Sequence, residues 1–180
     1  MIGVVIWEFL KTFESTDFAT WVREGDIVEP FSTFYTLLGA HSIGMAAVVG
    51  ICWILSIRIF GFQQFLSLEA ANKLLRVGWW GFYLNFASGM ILLSAQPRRE
   101  FLTGLFWVKM GFIVMAVITM FVMQKALAKI KTAPNPQRGG PPIEIVPLNL
   151  RVLAFAVDMF WIVAIVAGRL IGYTQPPPPL

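Results

Sequence analysis

Few side chains in this chain of 180 residues are able to carry chemistry. Because Cys52 and His41 are the sole cysteine and histidine, neither an internal disulfide nor a zinc-type Cys/His cluster can form. His41, Met45 and Cys52 lie at helical spacing on one face, which could offer an axial ligand to haem or soft ligands to copper. A lone histidine can instead hydrogen-bond a neighbouring carbonyl or Asn85, and we favour this structural or proton-handling role.

Four ionisable side chains lie inside segments apolar enough to cross a bilayer, where each costs a few kcal/mol or more. His41, Lys109 and Arg169 lie in one half of the bilayer, about 13, 9 and 6 Å deep. The distribution of basic residues makes this the outer half. The one intramembrane carboxylate, Asp158, is about 12 Å deep in the inner half. The sequence therefore predicts an outer-half binding pocket formed by His41, Met45, Asn85, Lys109 and Arg169, in which His41 is the candidate metal ligand.

The two cations of this pocket have no intramembrane carboxylate in the same half of the bilayer. An anionic ligand could neutralise them, or acidic residues of the N-terminal segment such as Glu24, Asp26 and Glu29 could fold over the mouth. Both side chains could also snorkel to the interface. For Lys109 we favour an inward-facing partner, and for Arg169 snorkelling and a lipid phosphate stay equally open.

Composition narrows the class of protein. The chain is 57% hydrophobic and 13% charged, with a mean hydropathy of +0.72. A soluble domain is about half apolar and about a quarter charged. This balance excludes a soluble enzyme core, a disordered chain and a disulfide scaffold, and it predicts membrane lipids as the surroundings. Although the pI is near 9.5, no nucleic-acid partner is expected, since the basic residues are explained by membrane orientation.

A helix that crosses about 30 Å of hydrocarbon needs about 20 mainly apolar residues, and four stretches are long enough. They cover about 32–57, 77–95, 103–123 and 149–173. Pro30 precedes the first and suits a helix start. The sequence therefore predicts an all-α integral membrane protein whose residues 30–173 form a bundle of four transmembrane helices.

The segments outside the spans have other patterns. Residues 1–29 mix aromatic and charged side chains, which predicts short amphipathic helices in the membrane interface, separated or capped at Ser15-Thr16-Asp17. Residues 66–76 read as a second amphipathic piece, 132–147 as a linker, and 174–180 as a proline-rich tail.

Basic residues are unequally divided between the two sides of the predicted bundle. Eight fall in or beside the loops between spans one and two and between spans three and four, and four fall on the opposite side. Because cytoplasmic loops keep the excess of Lys and Arg, both termini are expected outside the cytoplasm. The N-terminal segment would then be extracytoplasmic.

Small residues recur at four-residue spacing in two of the spans. The pairs are Ala40/Gly44 and Ala46/Gly50 in span one and Gly168/Gly172 in span four. Such pairs let helix backbones approach closely. They serve either contacts within the bundle or docking onto another protein, and the sequence leaves both open.

Five short motifs in order carry a family resemblance over about residues 30–173: Leu38–Gly44 (LGAHSIG), Ile57–Gly61 (IRIFG), Ser88–Leu92 (SGMIL), Phe106–Lys109 (FWVK) and Gly168–Tyr173 (GRLIGY). On these the chain resembles an uncharacterised bacterial four-transmembrane-helix inner-membrane family, distantly like the membrane domain of copper-resistance D proteins. The resemblance implies a four-span fold in the bacterial inner membrane. It singles out His41, Arg58, Lys109 and Arg169.

Two functions of different class follow. The favoured one is a non-catalytic accessory subunit that docks on other integral membrane subunits through small-residue helix faces and interfacial helices. The alternative is a cofactor- or ligand-binding protein that holds haem b, a quinone or copper around His41 and supports redox chemistry. No nucleophile motif is present and no outer-half carboxylate stands near His41, so we assign no catalytic residue and do not expect an enzyme.

Overall fold

The computed structural model describes residues 2–28, 31–62, 67–130 and 146–173. The predicted all-α class is confirmed, since the described chain contains seven helices and one pair of short strands, of three and two residues. The helices are α1 (Ile2–Glu14), α2 (Asp17–Glu24), α3 (Thr33–Phe60), α4 (Leu68–Ala95), α5 (Pro97–Phe101), α6 (Gly104–Ala128) and α7 (Leu148–Ile171), and the strands are β1 (Asp26–Val28) and β2 (Phe31–Ser32).

Three helices, α3, α6 and α7, are long and apolar enough to cross a membrane, as a multi-pass membrane protein requires. Helix α4 has 28 residues but is not one of the three. Its first turns carry Glu69, Lys73 and Arg76, and aromatic and polar residues around Asn85 lower the hydropathy of its second half. Its composition therefore separates it from the other long helices, although its length does not.

The four long helices pack side by side. Helix α3 lies against α4 and α7, and α6 lies against α7 and, less extensively, against α4. Pairing of His41 with Asn85 and of Ile51 with Gly78 shows that α3 and α4 are antiparallel along their length. The Trp79 Nε1 atom donates to Gln124 Oε1 at 2.9 Å and joins α4 to α6. We call the two ends of this bundle the His41 end, where α3 begins, and the Lys125 end, where α6 ends.

The core fills the space between these helices with large apolar side chains, which include Leu55, Ile59, Leu75, Met120, Met123, Leu150 and Val157. In lipid there is no hydrophobic force between apolar helices, so this core stabilises the bundle through van der Waals contact. The outward sides of α3 and α6 remain apolar and exposed, as lipid-facing surfaces must be.

Two backbones approach each other closely between α3 and α4. A Cβ atom placed on Gly44 would stand 2.6 Å from the backbone nitrogen of Asn85, and one on Gly81 would stand 2.8 Å from the Ala47 Cβ. The pair Ala40/Gly44 therefore contributes to packing within the bundle through Gly44. Nothing lies within 4 Å of a Cβ placed on Gly39 or on Gly50, so these two glycines are not used in this way.

The N-terminal helices cover the His41 end of the bundle. They break at Ser15–Thr16, as predicted, and the Thr16 Oγ1 atom caps α2 by accepting from the Ala19 amide at 3.3 Å. Arg98 of α5 holds α1 through an ion pair with Glu14, and its guanidinium lies 5.2 Å from the centre of the Trp7 ring. The strand pair that follows α2 was not predicted.

Two further boundaries differ from the sequence prediction. Residues 68–76 are not a separate piece but the first turns of α4, which starts where the Ser67 Oγ atom accepts from the Ala70 amide at 3.2 Å. No proline interrupts the helix between Leu68 and Ala95, so it continues. Of the predicted linker 132–147 all but the last two residues lie outside the described residues, as do Glu29, Pro30 and the tail 174–180.

Candidate functional site

His41 is held by α4 through a pair of reciprocal hydrogen bonds. Its Nδ1 atom lies 2.9 Å from the backbone carbonyl oxygen of Asn85, and the Asn85 Nδ2 atom donates to the carbonyl oxygen of His41 at 2.8 Å. A carbonyl can only accept, so Nδ1 carries the proton. In the neutral imidazole the lone pair is then on Nε2, the one ring nitrogen able to accept a proton or bind a ligand.

Two small residues of α4, Ser88 and Gly89, complete the surroundings of the imidazole, which we call the imidazole seat. The Ser88 Oγ atom lies 3.3 Å from His41 Nδ1 and donates its own proton to the Leu84 carbonyl at 2.6 Å. A Cβ atom on Gly89 would stand 2.9 Å from the Cε1 atom of His41. Gly89 is thus a residue of the site, although it is not among the predicted pocket residues.

Lys109 brings α6 to the same end of the bundle. Its side chain is half-buried, and its Cδ and Cε atoms pack 3.4 Å from the position of a Cβ on Gly168 of α7. The ammonium group acts electrostatically on both His41 and Glu100. The structure therefore joins His41 to Asn85 and places Lys109 within electrostatic range of His41.

Glu100 of α5 is an acidic residue within electrostatic range of Lys109. The sequence analysis did not identify Glu100. Burial raises the pKa of the Glu100 carboxyl above its ordinary value, while the positive charges of Lys109 and Arg99 act in the opposite direction. The sequence feature that could have identified Glu100 is its position in the short connection between the second and third predicted spans. This connection keeps Glu100 near the end of α6 where Lys109 lies.

Two acidic residues of the N-terminal segment pair with arginines and not with Lys109 or Arg169. Glu24 pairs with Arg23 at 3.0 Å, and Glu14 pairs with Arg98. Asp26 lies in β1, opposite Ser32, and Glu29 lies outside the described residues. Among the described residues, a carboxylate on which the charge of Lys109 acts is that of Glu100 in α5.

Two predicted pocket residues stand apart from the His41 group. Arg169 is exposed, and its guanidinium lies 5.7 Å from the centre of the Tyr173 ring. Met45 lies one turn along α3 from His41 and packs against the apolar core. The C-terminal carbonyls of α7 are capped by Arg99, which donates to the Ile171 oxygen at 3.2 Å and also to that of Gly172.

A second polar cluster lies deeper, between α3 and α7. The Asp158 carboxyl is within hydrogen-bonding reach of Ser56, whose Oγ atom also donates to the Ala154 carbonyl at 3.3 Å. Within the described residues, the Asp158 Oδ1 and Trp161 Nε1 atoms are buried and have no hydrogen-bond partner. This cluster is separate from the His41 group, because it occupies a different level of the bundle.

The donors at His41 restrict which metal group would fit. Among the residues that the structure describes, no three His, Cys, Asp or Glu side chains come together, so a copper ion would not find three such ligands there. A haem needs one imidazole as an axial ligand. An Nδ1–H group that donates to a backbone carbonyl is the arrangement that orients metal-ligating histidines.

Comparison of the chain with protein-family models, with curated proteins and with solved structures finds no match. The family resemblance read from the short motifs therefore stays a prediction, and function has to be argued from the geometry.

Proposed function

We propose that this chain is a non-catalytic accessory subunit of a bacterial membrane complex and that it docks on a helix of another integral membrane subunit. The docking face is a small-residue side of α3, formed by the exposed Gly39, Ser42 and Ala46 and the half-buried Gly50. The observation that carries the proposal is that Cβ atoms on Gly39 and Gly50 would meet open space within the described part of the chain, whereas Gly44 is packed against α4.

Small residues divide between the two sides of α3. Gly44 is buried against Gly81 and Asn85 of α4, where its missing side chain lets two backbones touch. A Cβ atom placed on Gly39 or on Gly50 would have no described atom of another segment within 4 Å. Lipid tails gain nothing from small side chains, whereas a second helix gains close backbone contact. The docking face is therefore better suited to a helix than to lipid.

The His41–Asn85 pair supports a structural role for the polar group behind this face. Both polar atoms of the contact are satisfied by backbone carbonyls of the opposite helix. Hydrogen bonds of this kind between transmembrane helices are worth about 1 kcal/mol each. They fix α3 on α4, so the docking face is presented on a rigid pair of helices.

A fourth crossing by α4 belongs to the same proposal. With 28 residues, α4 is about 42 Å long, which exceeds a hydrocarbon core of about 30 Å. It runs antiparallel along α3, a helix that is itself apolar enough to cross. Four crossings leave both termini on one side, and the basic residues at the Lys125 end favour that end as cytoplasmic. The family resemblance supports the bacterial inner membrane as the proposed location.

Site-directed crosslinking in native membranes tests the docking face. The variant Ala46→Cys in a Cys52→Ala background places one thiol on the face, and Gly111→Cys places one on α6, at another glycine that meets nothing within 4 Å. We expect a thiol-reactive crosslinker to join the Ala46→Cys chain, and not the Gly111→Cys chain, to a different protein. A product of twice 20.2 kDa, or equal capture from both positions, would contradict the proposal.

A paired substitution separates docking from folding. Gly50→Leu enlarges the docking face where there is open space, so we expect normal thermal stability but loss of the co-purified partner. Gly44→Leu must clash with the backbone of Asn85, so we expect an unstable bundle. Retained partner in the Gly50→Leu protein would contradict the proposal.

The second candidate function is ligand or cofactor binding at His41, with haem b, a quinone head group or copper as the group bound. The specific observation is that the Nδ1 proton is committed to Asn85, which leaves the Nε2 lone pair for a ligand near the Lys109 ammonium. Protein purified gently from native membranes would then show a Soret band, bound copper or extractable quinone. Absence of all three would remove this candidate.

A further inference from the structure

A groove opens between the last turns of α6 and the first turn of α7, at the Lys125 end of the bundle. We call it the lysine groove; it has a volume of about 560 Å³ and is lined by Val122, Lys125, Ala126, Lys129, Ile130, Pro147 and Asn149. Apolar side chains form most of its wall, and the two lysines add positive charge. This combination of an apolar wall and cationic groups suits an amphiphilic anion.

The charge of the groove is not neutralised by the described part of the chain. No acidic side chain lines it, and neither Lys125 nor Lys129 has a carboxylate partner among the described residues. The Lys125 ammonium lies 4.3 Å from the centre of the Phe121 ring, on its own helix. By contrast, Lys73 of α4, another lysine towards this end, pairs with Glu69 at 2.8 Å.

The start of α7 adds to the positive potential. Its N-cap residue is Pro147, which makes no side-chain capping bond. The positive end of the dipole of α7 lies at the same end of the bundle as the two ammonium groups. Asn149 supplies one local acceptor, since its Oδ1 atom bonds the Leu150 amide at 3.0 Å.

The apolar wall continues along α6 away from the lysines. Ile118 is 57% exposed and Val114 is 54% exposed, and Phe121 and Val122 link them to the groove. Both helices that form the groove are apolar enough to cross a membrane. The lysines at the helix ends therefore lie where the hydrocarbon core meets the headgroups, and the exposed face of α6 lies at acyl-chain depth.

We propose that the lysine groove binds an anionic phospholipid, with the phosphate between Lys125 and Lys129 and an acyl chain along the exposed face of α6. A basic pocket between transmembrane helices on the cytoplasmic side is the usual setting for such a headgroup. The proposal rests on α6 and α7 crossing the membrane and on the proposed cytoplasmic side of the Lys125 end, and it does not depend on the docking face of α3.

Native mass spectrometry of the full chain tests this occupant. The chain is released from vesicles that contain equal amounts of phosphatidylglycerol and phosphatidylcholine, and bound lipid is counted. Lys125→Gln/Lys129→Gln removes two positive charges from the groove. Lys73→Gln/Arg76→Gln removes two exposed charges from α4 and is the matched control. Val122→Trp narrows the groove without changing its charge, and circular dichroism checks that each variant is folded.

We expect the wild-type chain to retain phosphatidylglycerol in preference to phosphatidylcholine. Retention should fall roughly tenfold or more in the lysine double variant, and it should also fall in Val122→Trp, but not in the control. Equal retention of the two lipids, or an equal loss in the control, would overturn the proposal in favour of diffuse surface charge. Dimers that dissociate in the lysine variant would overturn it in favour of a second copy in the groove.

Discussion

Asn85 and His41 are joined twice across the α3–α4 contact, once from the imidazole Nδ1 to the Asn85 carbonyl at 2.9 Å and once from the Asn85 amide to the His41 carbonyl at 2.8 Å. Each side chain thus bonds the backbone of the other helix. Such a pair fixes both the rotation and the register of the helices, because a slip of one residue would break both bonds.

Gly89→Ala should destabilise the bundle by about 1–3 kcal/mol, the usual cost of overpacking. Its Cβ atom would stand 2.9 Å from the His41 Cε1 atom and push the imidazole away from Asn85. Gly39→Ala is the control, since nothing lies within 4 Å of its Cβ and alanine is the better helix former. The measurement is the thermal midpoint of each protein in the same detergent. Equal midpoints would show that the ring does not depend on Gly89.

His41→Ala should cost about 1 kcal/mol of stability, the worth of one interhelical hydrogen bond. His41→Asn can replace the Nδ1 donor by an amide and should recover most of that loss, but it has no counterpart of Nε2. If His41 is a ligand, both variants lose the bound group, whereas the contribution of the Nδ1 hydrogen bond to stability is lost only in His41→Ala. A spectrum or metal content unchanged in both would reject ligation.

Lys109→Met and Glu100→Gln should be coupled in a double-mutant cycle. From the sequence alone, Lys109→Met is expected to stabilise an empty bundle, because it removes an intramembrane cation without a partner. The nearby Glu100 carboxyl changes this expectation, since the single variant leaves a partly buried acid without its cation. We expect a coupling free energy of about 0.5–3 kcal/mol from denaturation of the four proteins. Additive effects would contradict an interaction between them.

Stability should depend on pH through Glu100. Its pKa is above the ordinary value of 4.5 in the folded chain, so the folded state holds this proton more tightly than the unfolded state does. The resulting stabilisation is fully present below pH 4.5 and is lost as pH rises through the raised pKa. Glu100→Gln should flatten the thermal midpoint across this window.

Glu69→Gln serves as the control for that titration. The exposed Glu69 carboxyl has its pKa lowered by the hydrogen bond and charge of Lys73, so it contributes nothing to the window above its ordinary value. A slope that persists in Glu100→Gln, or that disappears in Glu69→Gln, would show that another group titrates there.

Arg98→Gln should release α1 from the end of the bundle. The substitution removes the ion pair with Glu14 and the contact of the guanidinium with the Trp7 ring. Hydrogen exchange of residues 2–14 should become faster, while that of α3 should not change. Arg151→Gln changes an exposed arginine at the other end and should leave α1 protected. Unchanged exchange in Arg98→Gln would show that other contacts hold α1.

The sequence predicted the parts of this protein that depend on local composition. Long apolar stretches locate α3, α6 and α7, because hydrocarbon accepts only continuous apolar helices. The cap at Thr16 was also readable, since a hydroxyl before an amphipathic stretch satisfies free amides. The start of α4 could not be predicted from the sequence, because charged residues next to an apolar stretch look the same whether the helix continues or breaks.

Only the tertiary structure decided which polar groups meet. Insertion cost selected His41, Asn85 and Lys109 from the sequence, but partners depend on helix rotation and register, which neighbouring helices set. The same packing turned Arg169 outward, brought Glu100 to Lys109 and made Gly89 part of the imidazole seat. Hydropathy determines that a segment enters the bilayer. The close approach of Gly44 and Gly81 determines which of its faces meets another helix.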